Sequence, residues 1–327
     1  MTTRAGRAPG PEIDTLIIGA GLSGLVAAQR LIAAGLTVRV LDKGRSVGGR
    51  LATRRMAGAV VDHGAQFFTV RGESLAAQVD DWTSRDLVRV WCNGFDGEDG
   101  HPRYIGTTGM NSLAKDLATG VDVRAPSMAV ATRCDDLGHW EVTTDDGTVH
   151  RSRSLLSTAP VPQSFSLGFE SVDGLPREVV DADYDRTLGL LVVLDGPSAV
   201  APPGGMQQPS TGVAFVADNA LKGISPVPAL TLHADPAWSL ERWEADPADV
   251  ESELHRLAEP FIGSAGIVEA QVKRWRFATP RAPWSERCWI DESTRLVLGG
   301  DAFAGPKFEG AWESGIAAAE AVVTLCR

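Results

Sequence analysis

Residues 15–24 read TLIIGAGLSG, and this segment determines the class of fold that the chain can adopt. An apolar run leads into the spacing G-x-G-x-x-G, and a second apolar run ends at Asp42. Gly19 permits a tight turn, Gly21 lets the backbone approach a pyrophosphate, and Gly24 lets the next helix pack closely on the strand. The start of that helix favours phosphate, and the Asp42 carboxylate can accept hydrogen bonds from ribose hydroxyls. The segment therefore predicts a dinucleotide-binding α/β domain.

The residues that follow support a strand-turn-helix-strand unit. Apolar residues recur at helical spacing after Gly24, and Gly35 marks the end of the helix. Residues 36–41 read LTVRVL, which is typical of a buried strand. The alternative is a structural glycine turn in some other α/β protein.

A second glycine turn indicates which dinucleotide is bound. Residues 44–50 read GRSVGGR, and residues 62–68 read DHGAQFF. A nicotinamide-binding domain does not need this turn, whereas FAD lies extended across its domain and needs paired glycines that let the chain pass close to it. The Arg50 guanidinium can fork onto a phosphate. The sequence therefore predicts FAD, bound without a covalent bond.

The segment from Gly19 through Arg50 resembles the GR2 family of flavoproteins, which includes amine oxidases, phytoene desaturases and protoporphyrinogen oxidases. Within that group the chain is most similar to the renalases and their bacterial relatives. The motifs that carry this resemblance occur in chain order: Gly48-Gly49-Arg50, residues 62–68, residues 103–106 with 109–113, Val130 ten residues before Trp140, residues 157–162, residues 300–303 and residues 308–312. They span nearly the whole chain, although the middle third matches loosely.

The resemblance implies a fold and a domain organisation. The expected fold is α/β, with an FAD-binding Rossmann-like domain of the GR2, p-hydroxybenzoate hydroxylase-like type and an inserted α+β substrate domain built on a mainly antiparallel sheet. The expected ranges are 14–72, 102–162 and 291–327 for the FAD domain, 73–101 and 163–290 for the substrate domain, and 1–13 for a disordered tail. Apolar and polar residues alternate in four segments of the longer insertion, which also contains an acidic helix over 246–258. Residues 197–209, rich in proline and glycine, are expected to form a surface loop.

The resemblance also implies which residues hold FAD. In flavoproteins of this type an aspartate placed like Asp301 meets the ribityl and pyrophosphate region. A helix placed like residues 310–325 points its start at the pyrimidine edge of the flavin, where N–H groups stabilise the reduced state. The alternative is a strand and helix that merely complete a sheet. The expected cofactor-binding residues are Gly19, Gly21, Leu22, Ser23, Gly24, Asp42, Lys43, Gly49, Arg50, Gly64, Ala65, Gln66, Val130, Gly300, Asp301, Gly310 and Ala311.

A definite reaction follows from the resemblance to renalases. Those enzymes oxidise dihydro-isomers of NAD(P)H that are reduced at the wrong ring position, return NAD(P)+, and pass the electrons to O2 to give H2O2. We therefore expect hydride transfer from a small substrate to flavin N5, which requires no protein nucleophile. The first alternative is an amine oxidase or desaturase of the same superfamily, and the second is a flavin-binding protein without turnover. Lys307 leaves amine oxidation open, because a lysine near the flavin is a feature of amine oxidases, although a surface lysine is the simpler interpretation.

Six residues are candidates to line the substrate pocket. Gln66 and Phe67 follow a glycine turn, and Trp312 lies near the helix that is expected to face the flavin. Weaker candidates come from the predicted insertions and the strand beside them: Tyr104, Trp275 and Arg274. Each aromatic residue has core packing as its alternative.

Composition limits the class of protein and its partners. A chain of 327 residues with 43% hydrophobic content fits a soluble two-domain enzyme. No run approaches the ~18 apolar residues that span a bilayer, and residues 1–12 lack the apolar region of a signal peptide, so a cytoplasmic location is expected. Four cysteines without a CxxC pair and six histidines without metal-ligand spacing predict no metal site.

The charge distribution bears on the substrate. A net charge of -11 makes nucleic acid and acidic membrane surfaces unfavourable partners. Two basic clusters, Arg50-Arg54-Arg55 and Lys273-Arg274-Arg276, nevertheless occur. Each either creates a positive field inside a cleft or lies on solvated surface.

Overall fold

A computed structural model describes residues 13–95, 97, 100–168, 175–303 and 305–327. The strands are β1 (Ile13–Ile18), β2 (Val38–Leu41), β3 (Thr53–Met56), β4 (Ala59–Asp62), β5 (Val88–Cys92), β6 (Arg103–Gly106), β7 (Asp122–Arg124), β8 (Ala129–Cys134), β9 (Trp140–Thr144), β10 (Val149–Ser157), β11 (Tyr184–Leu194), β12 (Gly205–Ser210), β13 (Val213–Asp218), β14 (Ala229–Ala234), β15 (Ile267–Pro280), β16 (Trp289–Asp291) and β17 (Leu296–Leu298). The α-helices are α1 (Leu22–Ala33), α2 (Glu73–Ser84), α3 (Asn111–Leu117), α4 (Val161–Phe165), α5 (Arg177–Val180), α6 (Pro236–Glu241), α7 (Pro247–Ile262) and α8 (Lys307–Leu325). A short 3-10 helix covers Gly49–Leu51.

The larger sheet has eight strands and a parallel centre. Strands β17, β10, β1, β2 and β7 lie side by side in that order and run parallel. Strand β16 extends one edge, and β9 and β8 extend from β10 as an antiparallel branch. The central side chains of Leu16, Ile17, Leu155 and Leu156 are fully buried, as expected for strands covered on both faces. The predicted α/β domain is confirmed.

Helices α1 and α8 pack against each other at the edge of the cofactor region because small residues meet at the contact. A side chain on Gly315 would approach the backbone of Ser23 to 2.6 Å. The Ser23 hydroxyl donates to the Ala311 carbonyl at 2.7 Å. The beginnings of the two helices are therefore adjacent, although 288 positions separate the two residues.

Helix α2 packs in the core of the first sheet. Residues 73–101 are expected in the substrate domain, but Leu75, Val79 and Trp82 of α2 pack with buried residues of α1 and α8. The three residues are spaced so that they share one apolar face of the helix, and this face packs into that core. Helix α2 ends at Ser84, and the chain then forms the β5–β6 hairpin.

The second sheet is antiparallel and has five strands in the order β12-β13-β14-β11-β15. One face packs on α6 and α7, with Leu188, Leu190, Val192 and Leu254 in a shared core. The other face packs on the β3–β4 hairpin through a smaller apolar cluster. The segments in which apolar and polar residues alternate therefore form a sheet that is covered on both faces.

Two local predictions differ from the structure. Residues 197–209 are expected to form a loop, but β12 begins at Gly205, because an edge strand can accommodate Pro209 without a ladder hydrogen bond. Residues 1–12 of the predicted tail lie outside the described residues, and Ile13 is the first residue of β1.

Candidate cofactor and substrate site

The carboxyl ends of the parallel strands form a crevice bordered by turns. Gly19 follows β1 and has φ +106, and Gly300 follows β17 and has φ +120. Asp42 follows β2, and Thr158 follows β10. Open α/β sheets bind their ligands at this place, and the positive φ values explain why glycine is present at the two turns.

The start of α1 presents free backbone donors to open space. Gly21 is the N-cap and makes no side-chain cap, and a side chain placed there would meet no atom within 4 Å. Leu22 and Ser23 begin the helix and are buried. A side chain on Gly24 would instead overlap the carbonyl oxygen of Gly19. The turn therefore needs glycine at position 24 for packing, whereas the space beside Gly21 is available to a ligand.

The Asp42 carboxylate holds two loops in place. One oxygen accepts from the Ala20 amide at 2.6 Å, and the other accepts from the Gly44 amide at 2.6 Å. A carboxylate has about four acceptor positions, so two remain for ribose hydroxyls. Lys43, the next residue, is exposed.

The second glycine turn packs directly on the first. A side chain on Gly49, whose φ is +52, would lie 3.5 Å from the Cα atom of Gly21. A side chain on Gly64 would overlap the Arg50 carbonyl oxygen, and that oxygen accepts from the Ala65 amide at 2.8 Å. Three chain segments thus converge on one narrow region.

Arg50 is engaged with a carboxylate. Its two terminal nitrogens donate to Asp301 at 2.5 and 2.7 Å, and one also donates to the Ala278 carbonyl at 3.2 Å. The sequence predicts that this guanidinium contacts a cofactor phosphate and that Asp301 contacts the cofactor as well. In the structure the two predicted residues bind each other, which places both at the same point of the crevice.

The end of the crevice near the chain terminus is formed by α8. Pro306 is the N-cap and makes no side-chain cap, so the first N–H groups are not satisfied by a side chain. A side chain on Gly310 would overlap the Gly305 carbonyl. Two helix starts therefore converge on the crevice, which suits an elongated cofactor with two anionic regions.

Val130 lies on β8, where the pairing with β9 is irregular. Ala129 and Ala131 pair with the adjacent residues Thr144 and Thr143, so Val130 is an extra residue on its strand. The side chain is 44% exposed. Bulges re-aim side chains beside ligand sites, and the predicted role of Val130 in cofactor binding stays a prediction.

The second sheet covers the turn that contains His63. The His63 carbonyl accepts from Trp275 Nε1 at 2.8 Å and lies 3.1 Å from His233 Nε2. The His63 ring stacks on Trp275 with the ring centres 5.4 Å apart. Burial, followed by the positive charges of Lys273 and other neighbours, lowers the pKa of His63 to about 3. Burial also lowers the pKa of His233 to about 4, so both rings are neutral at physiological pH.

Sequence reasoning missed a buried ion pair beside this turn. Lys222 Nζ lies 2.7 Å from Asp62 Oδ2, and both side chains have no exposed surface. Asp62 Oδ1 accepts from the Thr53 hydroxyl at 2.5 Å and from the Met110 amide at 2.9 Å. Gln66 directs its amide nitrogen to the Asp62 carbonyl at 2.8 Å and its oxygen toward Lys222 Nζ at 3.5 Å. The ion pair therefore fixes the conformation of the 62–66 turn.

Phe67 belongs to an aromatic cluster. Its ring centre lies 5.2 Å from that of Phe95, 5.9 Å from that of Phe215 and 6.5 Å from that of Trp91. The Arg103 guanidinium lies 5.6 Å from the centre of the Phe67 ring. This cluster joins the segment after β4, the β5–β6 hairpin and β13 of the second sheet.

Several predicted pocket residues lie elsewhere. Trp312 is 3% exposed, packs against Trp82 and donates to Ser74, so it occupies the core between α2 and α8. The Arg274 guanidinium lies 4.8 Å from the Trp243 ring and donates to the Trp243 carbonyl, on the side of α6 and α7. Successive side chains of a strand point to opposite faces, so Trp275 faces His63 and Arg274 does not. The pocket roles of Trp312 and Arg274 stay predictions that these contacts do not support.

Tyr104 and Lys307 also have packing or surface positions. Tyr104 stacks on Phe68 at 5.6 Å, and Phe68 stacks on Phe308 at 4.1 Å. Lys307 is exposed and has φ +84 at the first residue of α8. The exposure of Lys307 agrees with the surface interpretation.

Two kinds of site are absent from the described part of the chain. No group of three or more His, Cys, Asp or Glu side chains there could hold a metal ion. Within the same residues, no helix is both long enough and apolar enough to cross a membrane.

Comparisons with known proteins agree with this arrangement. Residues 17–82 match the family model of the NAD(P)-binding Rossmann-like domain. The chain is 41% identical over 70 residues to a putrescine oxidase of Kocuria rosea, an alignment that covers 21% of this chain and 15% of that protein. It is 32% identical over 155 residues to a protein of Mycobacterium tuberculosis assigned as a flavin-containing monoamine oxidase, covering 42% of this chain and 34% of that one. The chain therefore spans about a third or less of the length of these curated relatives.

Solved structures extend the likeness of the fold to nearly the whole chain. A cyclohexylamine oxidase of Brevibacterium oxydans has a TM-score of 0.73 at 15% identity and covers 96% of this chain and 99% of its own. A protein of Exiguobacterium sp. assigned as a protoporphyrinogen oxidase has a TM-score of 0.73 at 13% identity, covering 97% and 99%. The chain has the mixed α/β Rossmann-like fold of FAD-binding, amine oxidase-like flavoenzymes. The curated relatives named above are oxidases, and one of them is described as flavin-containing.

Proposed function

We propose that the protein is an FAD-dependent oxidoreductase that oxidises mis-reduced dihydro-isomers of NAD(P), with O2 as the acceptor and NAD(P)+ and H2O2 as products. A bound flavin would supply the atom, N5, that accepts the hydride. The cofactor would be held without a covalent bond by the turns at Gly21 and Gly49, the starts of α1 and α8, and the Asp42 and Asp301 carboxylates.

The observation that carries the substrate class is the charge around the His63 turn. Two buried carboxylates of this region are already paired, Asp62 with Lys222 and Asp301 with Arg50. An alkylammonium substrate would need a free carboxylate to compensate its desolvated charge. The neutral rings of His63, His233 and Trp275 instead offer flat, polarisable surfaces that suit an uncharged dihydropyridine ring.

The chain's own groups would position the substrate without a protein nucleophile. The Lys222–Asp62 pair fixes the 62–66 turn, and Trp275 and His233 hold its His63 carbonyl in place. The aromatic cluster around Phe67 restricts water near the same turn. Orientation and exclusion of water are the contributions that a protein makes to hydride transfer.

A spectroscopic experiment tests the proposal. The purified protein, reconstituted with FAD under anaerobic conditions, is mixed with 6-dihydro-NAD or, separately, with putrescine. We expect bleaching of the flavin band within seconds by 6-dihydro-NAD and not by putrescine, followed by reoxidation and peroxide when air enters. Bleaching by putrescine alone would support the amine oxidase alternative. A flavin that neither compound bleaches would leave the non-catalytic alternative, and failure to bind FAD would contradict the cofactor assignment.

A further inference from the structure

Two basic side chains beside His63 have no acidic partner. Among the residues that the structure describes, Arg54 and Lys273 form no ion pair and no side-chain hydrogen bond, whereas Arg50 and Lys222 are each paired with an aspartate. After the effect of burial, the positive charges of Lys273 and Arg54 lower the pKa of His63. The charge of Arg54 likewise lowers the pKa of Lys273. Lys273 also lies on the same face of β15 as Trp275, whose ring stacks on His63.

The strand register explains why Lys273 reaches this place. Lys273 on β15 pairs with Gly189 on β11, and Gly189 pairs with His233 on β14. Directly opposite residues share a face, so the three form one row across the sheet. A side chain on Gly189 would lie 3.2 Å from the His233 ring and 3.9 Å from the Lys273 Cβ atom. The glycine is therefore needed for close packing at this point of the row, and it lets the lysine and the histidine lie on either side of it.

The β3–β4 hairpin brings Arg54 to the same face of the second sheet. Arg54 pairs with Val61, and the next residue, Arg55, pairs with Val60. Val61 is buried against Leu191 of β11, so its face of the hairpin is the one that meets the second sheet. Arg54 shares that face, whereas Arg55 points to the opposite one.

Two buried polar atoms in this region have no hydrogen-bond partner. They are His63 Nδ1 and Gln271 Oε1, and Gln271 precedes Lys273 by two residues on the same face of β15. Buried polar atoms are almost always satisfied, so a pair without partners indicates a place where a ligand or water binds.

We propose that Arg54, Lys273 and His63 form an anion subsite that binds the phosphate groups of a nucleotide substrate. This inference rests on the proposed function, because it assigns the charged end of the substrate whose ring is oxidised at the flavin. The Arg54 guanidinium suits two phosphate oxygens at once, and Lys273 adds a second positive charge at a half-buried position. The neutral His63 ring donates from one nitrogen without adding charge.

The subsite distinguishes nucleotide substrates from small dihydropyridines. A substrate without phosphate, such as 1-methyl-1,6-dihydronicotinamide, would reach the flavin but would not contact Arg54 or Lys273. Attraction between exposed charges is screened by salt, so the preference for the nucleotide should decline as the ionic strength rises.

The test uses the FAD-loaded full chain and the variants Arg54→Gln, Lys273→Gln and, as a matched control, Arg55→Gln. We expect Arg54→Gln and Lys273→Gln each to lower kcat/KM for 6-dihydro-NAD by about tenfold, as for the loss of one charge-assisted contact. Turnover of 1-methyl-1,6-dihydronicotinamide should stay unchanged. Inorganic pyrophosphate, titrated calorimetrically, should bind about tenfold more weakly to the same two variants, and Arg55→Gln should behave like the wild type.

The readouts separate failure of the subsite from failure of the proposed function. Equal pyrophosphate affinity in the wild type and Arg54→Gln would overturn the subsite, even if 6-dihydro-NAD is oxidised. A comparable loss in Arg55→Gln would also overturn it, because general surface charge would then explain the effect. Pyrophosphate binding that depends on Arg54 and Lys273, without turnover of either dihydronicotinamide, would support the anion subsite and contradict the proposed reaction.

Discussion

Replacing Lys222 with methionine should destabilise the protein far more than the same change at the exposed Lys115. Lys222 Nζ lies 2.7 Å from Asp62 Oδ2, and neither side chain has exposed surface. Methionine keeps the unbranched shape of the lysine stem but removes the ammonium group. The Asp62 carboxylate would then stay buried with only the Thr53 hydroxyl and the Met110 amide as donors.

The expected cost follows from the loss of one partner in a buried pair. Removing one member leaves an uncompensated charge and costs about 3–5 kcal/mol, whereas a surface substitution changes stability by about 0.5 kcal/mol or less. Since whole domains are stable by about 5–15 kcal/mol, Lys222→Met should shift the unfolding midpoint strongly. Asp62→Asn should cost a similar amount, because it leaves the ammonium group without its counter-charge.

Guanidinium unfolding of the FAD-free protein, followed by tryptophan fluorescence, measures these changes. The double variant Lys222→Met/Asp62→Asn should be more stable than the sum of the single effects predicts, by about 0.5–3 kcal/mol, because it buries no charge. The Lys115→Met variant controls for the chemical change alone. If Lys222→Met unfolds within 1 kcal/mol of Lys115→Met, taking about 1 kcal/mol as a typical effect of a point substitution, the reasoning from an uncompensated buried carboxylate is wrong.

Three further outcomes are expected. Gly21→Ala should keep the stability of the FAD-free protein but weaken FAD binding, whereas Gly24→Ala should destabilise the fold itself; equal flavin content in wild type and Gly21→Ala would argue against a cofactor beside that turn. The folded-state pKa values of about 3 for His63 and about 4 for His233 lie below the unfolded value of 6.5, so only the unfolded chain binds these protons and stability should fall as the pH drops from 6.5 to 4. The slope is about 1.4 kcal/mol per pH unit for each histidine, and urea titrations of His63→Asn should show a shallower dependence than the wild type. Lys307→Gly should stabilise the protein by about 1 kcal/mol, because glycine adopts the φ of +84 without steric strain. Flavin reduction should stay unchanged, and its loss would instead support a role of Lys307 in amine oxidation.

The sequence predicts the Rossmann-like sheet and its first turn well because the signals are local. Gly19 has a φ of +106, and a side chain on Gly24 would overlap the Gly19 carbonyl oxygen, so the motif and the geometry correspond within a few residues. The alternation in the second half likewise predicts β14 over the same residues, 229–234, that the structure shows. Alternation does not say which strands are neighbours, and the order β12-β13-β14-β11-β15 came only from the structure.

The substrate side was harder to predict because its contacts join distant parts of the chain. Lys222 and Asp62 are 160 positions apart, and neither belongs to a motif with a known spacing for an ion pair. A lysine within the otherwise apolar segment that precedes β14 was the available signal, since lysines are rarely buried unless they are paired. Trp312 and Arg274 lie near predicted motifs in sequence, but the phase of a helix and the alternation of a strand direct their side chains away from the site.

The contact between Ser23 and Ala311 gives the cofactor site a particular order of assembly. During synthesis Ser23 leaves the ribosome 288 residues before Ala311, so the two halves of the crevice cannot meet until α8 has been made. Until α8 docks, the space beside Gly21 stays open. Stabilisation by a bound ligand becomes available only after that docking step. Under the proposed function, retention of FAD by a newly made chain would therefore report that α8 has folded back onto α1.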